Sequence, residues 1–267
     1  MRVSDADIRE RRANLIQILQ NDADISLAEL SSVLEVSEST VRRDMNYLKE
    51  RNILSTSIKN SNGQFTTNFV PEFDNDLMFN TKVEEKEAIA KEAESMLESG
   101  DVVYINSSSN ALRVIKYITC GFVTVITNNA RAVFEPVNPN VKVILTGGEI
   151  IQNNSVGNVK FCTTGDYAIS TIKNILANVC ILGISGISAE KGISSAAIDE
   201  LTVNREMINS CLGKVIIVAD NRKIGFNHNY IFSDIENVDY LITDNEAKTI
   251  ELDKIKKEGV EIIQVNV

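Results

Sequence analysis

Residues 37–45, SESTVRRDM, set Arg42 and Arg43 side by side in a chain whose formal net charge is −10. A guanidinium offers a planar fork of donors that can grip a guanine edge at two points, and an asparagine such as Asn46 can do the same for adenine. The hydroxyls of Ser39 and Thr40 suit phosphate oxygens. Joint action requires one element that turns these groups the same way. On a helix over 38–51 each residue advances by about 100°. Val41, Met45 and Leu48 then cluster on one side, and Ser39, Arg42, Arg43 and Asn46 on the other. Ser37 suits the N-cap of that helix. Asp44 falls near the apolar side, where a basic residue of an earlier helix is a better partner than a base. A bare arginine pair would read as a solvated helix face; the neighbouring polar groups make DNA the better reading.

A second group of candidate residues follows short β-branched runs. DVVYI leads into NSSSN (106–110), FVTVIT into TNN (127–129) and VKVILT into TGG (146–148). NVCILGI carries GISG (183–186), and KVIIVA leads into ADNRKIG (219–225). Small residues let backbone N–H groups approach a ligand. NSSSN precedes ALRVIKYI, read as a helix whose N-terminus favours an anion. Lys223 supplies a positive charge, and Asn106, Asn128 and Asp220 can bond hydroxyls. The expected ligand set is Asn106, Ser107, Ser108, Ser109, Asn110, Thr127, Asn128, Gly147, Gly148, Gly183, Ser185, Gly186, Asp220 and Lys223, and a phosphorylated sugar fits that mixture. Each loop alone has ordinary turn composition. Five in register make a pocket.

The elements that must position these residues are legible in the periodicity. With 267 residues, 43% hydrophobic and 24% charged, the chain can bury a proper core. Residues 5–52 are helical in pattern. Leu15, Ile16, Ile18 and Leu19 form one stripe, and Leu27, Leu30, Val33 and Leu34 a second, behind a Ser26/Glu29 capping box. Asn62-Gly63 between strand-compatible segments predicts a hairpin. Three helices and a hairpin make a winged helix-turn-helix, in which the third helix enters the major groove. Residues 70–81 lack a period and read as a linker.

From 82 onward a helical stretch ends at Gly100, and β-branched runs, continued by VDYLIT and VEIIQV, then alternate with helical segments. That alternation predicts a mostly parallel sheet covered on both faces. The expected organisation is α/β: a winged helix-turn-helix DNA-binding domain over 1–69, a linker over 70–81 and an effector-sensing α/β domain over 82–267.

Charge and composition exclude several classes. Residues 1–60 hold nine Lys/Arg against ten Asp/Glu, so the acidic excess lies beyond the DNA-binding candidate. An acidic chain is unsuited to coating nucleic acid indiscriminately. No apolar run approaches the roughly 18 residues of a spanning helix, and no signal peptide is evident, so a cytoplasmic location with no membrane partner is expected. Cys120, Cys162, Cys180 and Cys211 are widely spaced and read as buried reduced thiols rather than metal ligands. No GxGxxG or GxxxxGK[ST] motif marks a nucleotide site, and no cofactor is expected. The enzymatic alternative is a sugar-phosphate isomerase with an appended DNA-binding domain. It could draw on Asp199, Glu200, Asp220 and Lys223, but no closely paired carboxylates occur in the rim loops, and His228 lies in the loop GFNHNY.

The stretch ISLAELSSVLEVSESTVRRDMNYLKERNIL resembles the N-terminal domain of DeoR/GlpR-type bacterial transcriptional repressors, through Ser37, Thr40, Val41, Arg42, Arg43 and Asp44. The wing here reads SIKNSNGQ, in place of the family's basic, glycine-rich sequence. The later segments DVVYINSSSNALRVIKYI, TVITNN, VILTGG, ILGISGISAEKGISS and VIIVADNRKIG are similar in order and spacing to the family's effector domain, which resembles sugar-phosphate isomerases. Where the family has Asp-x-Gly-Thr-Thr, this chain has Asn106 to Asn110. The resemblance implies a non-enzymatic repressor of a sugar-metabolism operon, acting on double-stranded operator DNA and released by a phosphosugar. Two linked recognition helices reading paired half-sites make a homo-oligomer (dimer or tetramer) the expected state. The helix face and the resemblance together give Ser37, Ser39, Thr40, Arg42, Arg43 and Asn46 as the expected DNA-binding residues.

Overall fold

The computed structural model describes residues 8, 11–12, 14–15, 18–19, 25–50, 55–59, 65–68, 83–155 and 158–266. Contacts divide the chain into two compact units, Met1–Thr81 with Asn154–Val159, and Lys82–Asn153 with Lys160–Val267.

In the first unit, helix α1 (Leu27–Val33) starts at a complete capping box. The Ser26 hydroxyl accepts from the Glu29 N–H, and the Glu29 carboxylate accepts from the Ser26 N–H at 2.8 Å. Helix α2 (Glu38–Glu50) follows after a tight turn through Glu35, which has φ of 52°. Strands β1 (Ser55–Lys59) and β2 (Phe65–Asn68) pair antiparallel, as a hairpin requires. Leu15, Leu19, Leu27, Leu30, Val41, Met45 and Leu48 form the core.

Val33 departs from the expected stripe and is 61% exposed. It lies about 120° around α1 from Leu27, whereas Leu30 and Leu34 stay within the inner arc. Ile16, the Asn62-Gly63 turn and residues 70–81 lie outside the described residues.

In the second unit all seven β-branched runs are strands of one parallel sheet. They are β3 (Val102–Ile105), β4 (Thr124–Thr127), β5 (Lys142–Leu145), β8 (Ala177–Gly183), β11 (Cys211–Val218), β13 (Tyr240–Asp244) and β14 (Glu261–Val265). Their spatial order is β14-β13-β11-β8-β3-β4-β5. The chain runs outward from β3 to β5, returns to the far side of β3 with β8, and proceeds to the other edge. The direction reverses between β3 and β8, and in open parallel sheets the crevice at such a reversal is where ligands bind.

Alternate residues face opposite ways along a strand. Tyr104, Ile126, Cys180, Leu182 and Ile217 accordingly pack under α5 (Asp166–Lys173), α6 (Leu201–Asn209) and α7 (Thr249–Lys257). Val103, Ile105, Val125, Ile181 and Val218 pack under α3 (Val83–Ser95) and the short α4 (Ser109–Leu112). Both faces are covered, as the unbroken apolar runs predict.

In the second unit three features differ from expectation. The segment ALRVIKYI is not one helix: α4 ends at Leu112 and a 3-10 turn occupies Ile115–Tyr117. Val114, Ile115 and Ile118 are weak helix formers, and four α-helical residues supply no appreciable dipole for an anion. Two antiparallel additions were not foreseen: the ribbon of β6 (Glu149–Ser155) and β7 (Asn158–Thr164), and a three-stranded sheet of β9 (Gly186–Ser188), β10 (Gly192–Ser195) and β12 (Tyr230–Ser233). Cys162 and Cys180 are buried, but Cys120 and Cys211 are only half-buried. Among the described residues no helix is long and apolar enough to cross a membrane.

Candidate nucleic-acid interface and ligand rim

Helix α2 carries the polar face predicted for it. Ser39, Arg42, Arg43 and Asn46 are exposed, while Val41, Met45 and Leu48 are buried. The Ser37 hydroxyl accepts from the Thr40 N–H at 3.3 Å and bonds the hydroxyls of Ser39 at 2.8 Å and Thr40 at 2.9 Å. Three hydroxyls thus gather at the start of the helix. Arg42 lies 3.9 Å from Glu38, a loose pair that leaves the guanidinium 57% exposed. Asp44, 2% exposed, takes Nε of Arg11 on one carboxylate oxygen and Nε of Arg12 on the other, each at 2.7 Å. The predicted partnership with the preceding helical segment is therefore double. It fixes the rotation of α2 and with it the direction of Arg42 and Arg43.

The rim of the second unit is built around Asn106. Its Oδ1 accepts from the N–H groups of Gly183 and Ser108, and its Nδ2 donates to the Gly183 carbonyl at 2.8 Å and to Asn204 Oδ1 at 3.1 Å. The amide is fully occupied in tying the end of β3 to the end of β8. Ser107 donates to Glu200 at 3.3 Å, and Ser195 donates to the other oxygen of the same buried carboxylate at 2.9 Å. Ser108 lies hard against Gly183, where a Cβ would come within 1.8 Å of the serine hydroxyl. Gly183 is glycine because the two strand ends touch.

The flanking loops continue this rim. After β4, Thr127 accepts from the Asn129 N–H, and Asn128 donates to the Thr163 carbonyl at 3.2 Å. After β5, Thr146 and Thr163 share a hydrogen bond of 2.7 Å, and Gly147 and Gly148 are exposed with φ of 71° and 104°. A Cβ on Gly148 would meet the Thr164 carbonyl at 2.3 Å. Beyond β8, Ser185 accepts from the Ala196 N–H, and Gly186 passes close to the Phe226 carbonyl. After β11, Asp220 accepts from Arg222 Nε at 2.8 Å, with Lys223 half-buried beside it. Burial pushes the Asp220 carboxyl up, but the Arg222 hydrogen bond and the charges of Lys223, Arg222 and Lys86 outweigh it and hold the group below the usual carboxylate range. Ser109 and Asn110 complete the set, half-buried and fully buried.

The expected ligand residues thus stand at five neighbouring strand ends. Several spend their polar atoms on one another, Asn106 most completely. Ser195, Glu200 and Asn204 join them from β10 and the start of α6, and Thr163 from β7. These were not among the sequence candidates for ligand contact, although Glu200 was visible as an available carboxylate in the isomerase alternative.

A family profile described as "DeoR-like helix-turn-helix domain" matches residues 11–57, and one described as "DeoR C terminal sensor domain" matches residues 81–245. The HTH-type transcriptional regulator GolR of Listeria innocua is 32% identical over 95% of this chain and 97% of its own length. The glycerol-3-phosphate regulon repressor of Escherichia coli is 25% identical over 88% and 90%. Among solved structures, ribose 5-phosphate isomerase A of Methanocaldococcus jannaschii aligns with a TM-score of 0.38 and 11% identity, covering 54% of this chain and 55% of that one. The two profiles fall on the two units just described, and the curated relatives match nearly end to end. The chain belongs to the DeoR family of helix-turn-helix transcriptional regulators.

Proposed function

We propose that the protein represses a sugar-metabolism operon and leaves its operator DNA when a phosphorylated sugar binds the rim. The observation that carries this reading is the outward face of α2, with Ser39, Arg42, Arg43 and Asn46 exposed and oriented by Asp44, in one chain with a five-loop polar rim. The name of the E. coli relative, a glycerol-3-phosphate regulon repressor, supports a phosphorylated, hydroxylated effector.

In this reading residues 1–69 bind DNA, 70–81 link and 82–267 sense the effector. Arg42, Arg43 and Asn46 read base edges, while Ser37, Ser39 and Thr40 hold phosphates. Asn106 through Asn110, Thr127, Asn128, Gly147, Gly148, Gly183, Ser185, Gly186, Asp220 and Lys223 build the effector site. Paired half-sites call for a homo-oligomer, a dimer or a tetramer, and a protein acting on operator DNA works in the cytoplasm. The effector acts by favouring one arrangement of the DNA-binding domains over another, so it must bind the two arrangements with different affinity. An isomerase with an appended DNA-binding domain is the less favoured reading, because rim carboxylates such as Glu200 and Asp220 are tied to serines and an arginine.

Gel-shift titration against the DNA upstream of its own gene, at fixed salt and with a panel of sugar phosphates, tests this reading. Specific binding released by one member of the panel is the expected result. Indifference to all of them overturns the effector half, and absence of specific binding overturns the whole.

A further inference from the structure

Most polar side chains of the rim are already committed to one another. Asn106 uses both ends of its amide, Ser107 donates to Glu200, Ser108 accepts from the Asn110 N–H, and Thr146 bonds Thr163. Two side chains break this pattern. Asn110 is 0% exposed, and neither its Oδ1 nor its Nδ2 has a hydrogen-bond partner. Asn128 is 1% exposed; its Nδ2 reaches Thr163, but its Oδ1 is unpaired. A buried amide without a partner opposes folding, so such groups are rare in native proteins and call for a specific explanation. These two follow neighbouring strands, since β3 and β4 pair in register with Ile105 beside Thr127.

The chemistry of the unpaired atoms restricts what can satisfy them. A carboxamide oxygen only accepts, so Asn110 and Asn128 each call for a hydrogen donor. A phosphate near neutral pH brings acceptor oxygens and little else. Hydroxyl groups bring both functions and can also accept from Asn110 Nδ2. We infer that Asn110 and Asn128 are specificity-determining residues that read the hydroxyls of the effector, and that its polyhydroxylated carbon skeleton rather than its phosphate lies over the ends of β3 and β4. This inference rests on the effector site proposed above. It divides that site into a hydroxyl-reading part and a part left for the phosphate. Removal of a single hydroxyl should then cost the effector more than it would in a site that held only its charge.

The test is calorimetric titration of the full-length protein with glucose 6-phosphate, fructose 1-phosphate, ribose 5-phosphate and glycerol 3-phosphate, with their unphosphorylated counterparts, and with inorganic phosphate. Wild type is compared with Asn110→Leu, Asn110→Thr and Asn128→Ala, and melting curves verify folding. For the sugar phosphate that binds wild type, Asn110→Leu and Asn128→Ala are each expected to weaken binding by about tenfold or more. Asn110→Thr, which restores a donor and an acceptor, should stay within about threefold of wild type. Inorganic phosphate should respond equally in all variants. The ligand-free melting temperature of Asn110→Leu should be equal to or above that of wild type, because the unpaired amide is gone. If Asn110→Leu fails to fold, Asn128→Ala carries the test.

Sugar-phosphate binding unchanged in the variants overturns this inference and leaves the proposed function standing. Inorganic phosphate binding that falls together with sugar-phosphate binding also overturns it, because the asparagines would then be reading the anion. An unphosphorylated sugar that binds alone, with the same dependence on Asn110 and Asn128, upholds the inference and overturns the phosphosugar reading. No binding by any member of the panel overturns both.

Discussion

Arg12 donates from Nε to Asp44 at 2.7 Å, and its guanidinium lies 3.5 Å from the centre of the Tyr47 ring. One arginine thereby grips α2 at two positions three residues apart, and Arg11 takes the other oxygen of the same carboxylate. A carboxylate 2% exposed between two cations cannot be removed without leaving charge poorly compensated inside the unit. Asp44→Ala is expected to destabilise the helix-turn-helix by roughly 3 kcal/mol, as read from chemical denaturation. Specific DNA binding should fall with it even where the unit remains folded, because the outward face of α2 loses its reference.

Arg43→Ala leaves that anchor intact and tests the face itself. Specific operator binding is expected to weaken by about 1–3 kcal/mol, with sugar-phosphate binding unchanged. Titration on specific and random DNA at matched salt separates the two roles open to the arginine. Equal loss on both would make Arg43 a phosphate contact.

The contact between Gly183 and Ser108 gives a prediction with a built-in rescue. A methyl group at 183 would meet the Ser108 hydroxyl at 1.8 Å and its Cβ at 2.3 Å, whereas the next neighbour is the Ala111 nitrogen at 3.6 Å. Gly183→Ala should cost about 1–3 kcal/mol, the range for overpacking, and Ser108→Gly in the same chain should recover most of it. A double-mutant cycle by thermal denaturation measures the coupling. Additive effects would show that the strand ends separate freely.

Glu87 gives the acid limb of stability a specific origin. It bonds Arg113 at 2.6 Å, Lys116 at 2.8 Å and the Tyr117 hydroxyl. Burial pushes its carboxyl up, but the hydrogen bonds from Lys116 and Tyr117 and the charges of Arg113 and Lys116 prevail and hold it below its ordinary range. A depressed native value means that the unfolded state takes up the proton first. The contribution is therefore complete above the unfolded carboxylate value of about 4.3 and is lost as pH falls through the lower native value. Glu87→Gln should flatten the pH dependence of melting below about pH 4.5 and leave it nearly unchanged near neutrality.

The sequence disclosed the parallel sheet because its strands are buried on both faces and read as unbroken apolar runs. The winged helix-turn-helix was legible for a similar reason: caps, stripes and a hairpin signal agreed. The additions around the rim were not legible. The strands GIS and GISS in β9 and β10 have the composition of a turn, and asparagines dilute the strand signal of β6 and β7. The candidate site was legible as a set of loops but not as a network. Asn106 finds Asn204 across 98 residues of chain, and Ser107 finds Glu200 across 93. No local period reports such pairings. Whether a rim asparagine is committed or unpaired depends on them, so Asn106 and Asn110 look alike in the sequence and differ in the fold.

The placement of β8 between β3 and β11 also sets an order of manufacture. The helices and hairpin of the first unit are encoded by Asn68, but the crevice beside β3 lacks a wall until β8 and its next neighbour, ending at Val218, have left the ribosome. At roughly 5–20 residues per second the intervening stretch takes on the order of ten seconds to translate. Under the function proposed above, a nascent chain therefore owns its DNA-reading helix well before it owns its effector site, and responsiveness is the last property it acquires.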